Sequence, residues 1–212
     1  MEKVSLQTAG YQEAIQSASA VIEQGGIVCL PTETFYGLCA RYDSPLALSR
    51  LYEMKQRPRG KAMPLIIAAL ADLDLVAGHT DEALRKLAGH FWPGPLTLLL
   101  PAKGGISDLL TAGTGRIAVR VPGASFAYDL VQKIRTPMTA TSANLSGMSP
   151  AETAEEVTRY FGDGPDLLVD GGKTMGTSPS TIIEFEGGTL RVVRQGAISE
   201  DDIRSVLLSL KP

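Results

Sequence analysis

Cysteine and histidine are scarce in this 212-residue chain: Cys29, Cys39, His79 and His90 are the whole supply. Two thiols build no disulfide framework, and so few soft ligands exclude a structural zinc site, so no protein-held metal is expected. No run of about twenty apolar residues occurs. The start, Met1 to Ala18, carries Glu2, Lys3, Gln7, Gln12, Glu13 and Gln16, which excludes the apolar core of a signal peptide. The expectation is a cytoplasmic protein with no membrane partner. An excess of one charge is also missing. The 20 basic and 23 acidic side chains sum to −3, which excludes a surface that coats nucleic acid throughout and confines any basic site to a local pocket. Internal repeats, low-complexity tracts, an evident linker and the Gly-x4-Gly-Lys-Ser/Thr phosphate loop are absent as well. With 44% apolar and 20% charged residues, wholesale disorder and coiled coil are disfavoured, and residues 1–212 are expected to form a single domain.

What is present is an alternation of helix and strand patterns. Tyr11 to Gln24 places Ile15, Ala18, Val21 and Ile22 at helical spacing before a Gly25-Gly26 stop. Ile27 to Leu30 is a short apolar run suited to a buried strand, followed by a polar loop, Pro31 to Gly37. Ser44-Pro45 opens a helix to about Lys55, with a capping hydroxyl and proline at the first helical position. Strands are expected at Leu65–Ala69, Leu96–Leu100, Ile117–Val121, Met138–Thr141, Leu167–Asp170, Thr181–Glu186 and Leu190–Arg194, with helices at Thr80–His90, Ser125–Lys133, Thr153–Tyr160 and Glu200–Leu210. Gly187-Gly188 signals a hairpin, so the fold class is α/β with a mixed sheet. Gly104 to Gly115 and Asp170 to Ser180 read as loops.

Three segments carry chemistry. Pro31-Thr32-Glu33-Thr34-Phe35-Tyr36-Gly37 leaves the carboxyl end of a strand, where open α/β sheets bind small polar ligands; equally, it is a Thr-rich turn that caps its own backbone. Lys55-Gln56-Arg57-Pro58-Arg59-Gly60-Lys61 holds four cations in seven residues. Either the macrodipole favours them at a helix C-terminus in a solvated loop, or they clamp a polyphosphate. Thr139 to Gly147 packs hydroxyls and the Asn144 amide behind a strand, suited to phosphate or nucleoside recognition or, alternatively, to a helix cap or turn. Arg116 and Arg120 share one strand face, Arg194 ends another strand, and each needs either an acidic partner or an anionic ligand. Trp92 reads as a packed corner and Cys29 as a buried hydrophobe, while Cys39 has no histidine in sequence reach. Without a Ser/His or Cys/His assembly, a covalent acyl mechanism has no support.

In order, Pro31 to Gly37, Lys55-x-Arg57, Phe91 to Thr97, Ile117 to Pro122, Ser142-x-Asn144 and Ser180-Thr181-Ile182 resemble the YrdC/TsaC family of threonylcarbamoyl-AMP synthases over roughly residues 10–200. The resemblance implies a YrdC-like twisted mixed sheet with flanking helices around a large basic cavity. It also implies a nucleotidyltransferase. L-threonine, bicarbonate or CO2, and ATP with Mg²⁺ would give threonylcarbamoyladenylate and pyrophosphate, for N6-threonylcarbamoyladenosine in tRNA, and a downstream tRNA threonylcarbamoyl transferase would receive the product. By motif, the catalytic group is Lys55, Arg57, Ser142 and Asn144. ATP falls to Arg57, Lys61, Arg116, Ser142, Pro150 and Arg194, and threonine to Thr34, Arg120, Ala140 through its backbone, and Ser180. Ala68 stands where many relatives carry a histidine, the loop from Pro58 to Pro64 is longer than in many relatives, and the second domain of long-form synthases is not expected. The alternatives are a double-stranded-RNA-binding module, a YrdC-like paralogue without synthase activity, and a carbamoyl-transfer module of hydrogenase maturation.

Overall fold

The computed structural model describes residues 1–174, 178–186 and 189–209. The expected single sheet is resolved as two mixed sheets. The first has the order β1 (Glu2–Ser5), β9 (Leu167–Asp170), β2 (Val28–Pro31), β3 (Tyr36–Cys39) and β8 (Thr141–Ser142). The second runs β11 (Thr189–Arg194), β10 (Thr181–Glu186), β5 (Leu96–Pro101), β6 (Arg116–Arg120), β4 (Leu65–Ile66) and β7 (Met138–Thr139). Parallel pairs β1/β9, β9/β2, β10/β5 and β4/β6 sit beside antiparallel pairs such as β2/β3, β5/β6 and β10/β11.

The division falls at one residue. Met138 and Thr139 pair with β4 in the second sheet, whereas Thr141 and Ser142 pair with β3 in the first. Ala140, between them, turns its N–H to the Pro64 carbonyl at 3.0 Å. The expected strand Met138–Thr141 is therefore broken where the chain changes sheets. The expected loop Pro31–Gly37 is also shorter, because Tyr36 and Gly37 already belong to β3 and face Pro31 and Leu30 of β2 in a hairpin.

Helices flank the sheets with capped ends. In α1 (Tyr11–Glu23) the residues Ala14, Ile15, Ala18 and Ile22 form the buried stripe that helical periodicity requires. Ser44 accepts the Ala47 N–H to open α2 (Pro45–Met54), and Asp81 accepts the Ala83 N–H to open α3 (Glu82–Phe91). The short α4 (Asp108–Thr111) lies inside the expected Gly104–Gly115 loop. Ser125 and Thr153 cap α5 (Phe126–Ile134) and α6 (Ala154–Phe161), and α7 (Glu200–Ser209) closes the described chain. The Gly187-Gly188 hairpin call and Gly176 of the second loop lie outside the described residues, as does Leu210.

Two cores hold this together. One packs α1 and α5 on the first sheet through Ile15, Ile22, Val28, Leu30, Leu130 and Val169; the other joins both sheets to the remaining helices through Leu48, Leu51, Leu96, Leu98, Ile117 and Ile183. Truncating one such fully buried Leu or Ile to Ala costs about 2–5 kcal/mol, because the site collapses only partly. Strand alternation then sets the opposite face. Along β5, Leu96, Leu98 and Leu100 enter the core, which turns Thr97 and Leu99 to the other side; along β6, Ile117 and Val119 do the same and turn Ala118 and Arg120 outward. Among the described residues no helix is long and apolar enough to cross a membrane.

Candidate active site

Those outward faces meet the β2–β3 turn and the Ala140 junction around a cavity of about 670 Å³. Of the sequence-expected residues, Thr34, Arg57, Arg120, Ala140, Ser142, Pro150, Ser180 and Arg194 line it. Its described lining holds three arginines and no carboxylate.

At one end stands the basic loop. The Arg57 guanidinium donates to the carbonyls of Lys61 (Nε, 3.0 Å) and Ala62 (Nη2, 2.5 Å), so the loop closes on Arg57 while the cation stays without an acidic partner among the described residues. Burial pushes its pKa down. Lys61 is correspondingly exposed and lies off the cavity wall.

Behind this end Lys55 is buried, with an exposure of 1%. Its Nζ donates to the Ser142 carbonyl, to the Asn144 carbonyl at 2.8 Å and to Asn144 Oδ1 at 3.4 Å. Burial and then the Arg57 charge push the ammonium down to about 7. Three carbonyl oxygens, which accept best from the fully protonated ammonium, act against that loss of the proton. Asn144 is locked by Nδ2 donations to Leu145 (3.0 Å) and Met148 (2.7 Å), which leaves Oδ1 to accept from Lys55 and from Ser142 Oγ at 2.5 Å. Of this cluster only Ser142 reaches the cavity wall; Lys55 and Asn144 hold it from behind.

At the other end Thr32 caps the hairpin turn, accepting N–H groups of Thr34 (3.1 Å) and Phe35 (3.3 Å) and donating to the Phe35 carbonyl at 2.7 Å. Thr34 Oγ1 lies 3.1 Å from Thr32 Oγ1. Either hydroxyl can donate in that pair, and Thr34 also stands on the cavity wall. The loop is thus a self-capping turn whose Thr32 and Thr34 both line the cavity. Arg194 donates to the Ser180 carbonyl (Nη2, 2.8 Å) and hydroxyl (3.1 Å), and Ser180 Oγ is 2.8 Å from Thr97 Oγ1. Partial desolvation, then the like charge of Arg120, push the Arg194 guanidinium below its ordinary value. Arg120 itself is paired with Glu33, a residue the sequence presents only as part of a loop.

Arg116 stands apart from the cavity lining. It lies on the same strand face as Arg120 but forms an ion pair with the buried Glu184 at 3.0 Å, outside the cavity lining. Burial also pushes the Cys39 thiol up to about 12 and raises Cys29, so neither is a thiolate nucleophile. Ala68 is buried in the α1/α5 core, away from the cavity, and Trp92 is the buried corner expected, its indole N–H on the Leu96 carbonyl at 2.7 Å. No cluster of three or more His, Cys, Asp or Glu side chains suited to a metal occurs among the described residues.

The Sua5/YciO/YrdC family model, described as telomere recombination, matches residues 20–196. The chain belongs to the Sua5/YciO/YrdC family. It is 34% identical over 193 residues to the threonylcarbamoyl-AMP synthase of Pyrococcus abyssi, covering 91% of this chain and 57% of that protein. The threonylcarbamoyl-AMP synthase of Idiomarina loihiensis is 38% identical over 161 residues, covering 74% of this chain and 86% of the relative. The crystal structure of P. abyssi Sua5 complexed with L-threonine superposes with a TM-score of 0.88 at 32% identity, covering 97% of this chain and 60% of that one. This Sua5/YciO/YrdC chain thus spans little more than half the length of its archaeal relative.

Proposed function

We propose that the cavity catalyses threonylcarbamoyl-AMP formation. The observation that carries this is the meeting, in one concave space, of phosphate-suited groups (Arg57, Ser142, Arg194) with amino-acid-suited groups (Thr34, Arg120, Ser180). Both sheets contribute to it, which supports treating the chain as one working unit.

The threonine carboxylate binds Arg120, the side chain best matched to a planar anion. Its amine lies toward the Thr34 hydroxyl and the Ala140 carbonyl, the backbone group left open once the Ala140 N–H is on Pro64. The uncharged amine adds to CO2 and loses a proton to give a carbamate. A carbamate oxygen then attacks the α-phosphorus of ATP, which enters as its magnesium complex, and pyrophosphate leaves. No enzyme nucleophile is needed; orientation and neutralisation of developing charge supply the acceleration. Arg57 and Arg194 supply that charge. Ser142 Oγ donates to a phosphate oxygen by leaving Asn144 Oδ1, which then retains only Lys55. Lys55 and Asn144 therefore act as positioning residues for Ser142, while Pro150 flanks the nucleotide. The product passes to a tRNA-modifying transferase.

Pyrophosphate release from ATP, bicarbonate and Mg²⁺ should depend on threonine; threonine-independent release, or none, would sink the proposal. A double-stranded-RNA module would instead spread its cations along an outer track, whereas the three lining arginines converge inward.

A further inference from the structure

Glu33 sits at the tip of the β2–β3 turn, on the first sheet, and Arg120 ends β6 on the second, 87 positions away in sequence. Their side chains are 18% and 11% exposed. Glu33 Oε1 accepts from Arg120 Nη1; Oε2 is buried and has no hydrogen-bond partner among the described residues. Gly123 borders this carboxylate: a Cβ there would make ordinary van der Waals contact, 3.5 Å from Glu33 Cγ and 3.9 Å from its carboxyl carbon. A half-satisfied buried ion pair is a poor stabiliser, since desolvation offsets much of the attraction.

We infer that Glu33 is a positioning and specificity-determining residue, which fixes the Arg120 guanidinium for an amino-acid carboxylate and turns phosphates away from it. This rests on the amino-acid end of the cavity proposed above. One donor of the rigid Arg120 fork is held by Glu33, so the remaining donors on the cavity side have a fixed direction. The pair is also neutral in sum. Arg57 and Arg194, in contrast, are held by uncharged carbonyl and hydroxyl oxygens and keep their full positive charge. A polyanion therefore gains most beside Arg57 and Arg194, and an amino acid, which brings both charges, gains most beside Arg120 and Glu33.

Calorimetric titration of threonine and of inorganic pyrophosphate into the wild type, Glu33→Gln and Glu33→Asp tests this, with thermal unfolding of each protein. Glu33→Gln should weaken threonine binding about ten-fold. It should also make pyrophosphate compete with threonine, which it does not in the wild type, at unchanged ATP affinity. Glu33→Asp keeps the charge and should restore the rejection of pyrophosphate while threonine stays weakened. Wild-type threonine affinity in Glu33→Gln, or threonine and ATP affinities falling in parallel with the melting temperature, overturns the assignment. If Glu33→Gln does not fold, Glu33→Asp decides: wild-type threonine affinity there overturns it equally. A wild-type protein that binds no threonine overturns the functional reading itself, whereas a wild type that binds threonine, with variants that match it, overturns only the role of Glu33.

Discussion

The cavity holds its cations in two opposite ways. Arg57 and Arg194 are fixed by carbonyl and hydroxyl oxygens, which satisfy the N–H donors and leave the charge in place; Arg120 is fixed by a carboxylate, which cancels it. The difference teaches how one space can sort two ligands that both carry anionic oxygens. Neutral acceptors create a field that a triphosphate seeks, while a charge pair creates direction without net field.

Four measurements would break or sharpen that contrast. The largest effect is expected from Lys55→Met, which strands the Ser142 and Asn144 carbonyls in a buried site. Pyrophosphate release should fall about 100-fold or more, with a stability loss of about 1–3 kcal/mol by denaturant unfolding. Unchanged turnover would show that the Ser142 turn needs no cation beneath it. Next, Arg120→Ala should raise the threonine KM at least about 30-fold with the ATP KM within about three-fold. Equal losses for both substrates would mean that the two ends are not separate. Third, raising monovalent salt from about 50 to 500 mM should weaken ATP binding about ten-fold but threonine binding by no more than about two-fold, since screening acts on net charge. Similar slopes would erase the distinction.

The smallest effect concerns protonation of Lys55. Its side-chain resonances should titrate near 7, far below the ordinary lysine value of 10.5. Between those two pH values the unfolded chain binds the proton that the folded chain has released, so this residue's contribution to stability rises as pH rises through the window. Thermal unfolding of the wild type relative to Lys55→Met should therefore improve from pH 7 to pH 10. An opposite trend would show that the three carbonyls outweigh burial.

Much of this was legible in the sequence where a local pattern decides the outcome. The pleat of Arg116-Ile117-Ala118-Val119-Arg120 puts both arginines on one face, and Ser44-Pro45 starts a helix, as expected. What local pattern cannot give is the partner. Arg116 and Arg120 look alike in sequence, yet Glu184 ties one outside the cavity lining and Glu33 ties the other at its wall. Lys55, in a cation-rich loop, reads as solvated or ligand-facing and instead lies buried behind Ser142. β1 was missed because Glu2 and Lys3 disguise it, and β3 because its four residues, Tyr36 to Cys39, are buried on both faces and show no alternation. β7 and β8 have two residues each, too few to reveal a change of sheet.

That change of sheet has a mechanical consequence. Since Thr139 belongs to one wall and Thr141 to the other, one residue, Ala140, sets the gauge between Ser142 and Arg120. Lengthening the link by one residue would displace Ser142 by about 3.3 Å against Arg120. The two walls would then no longer meet on one ligand, though every side chain of the chamber remained.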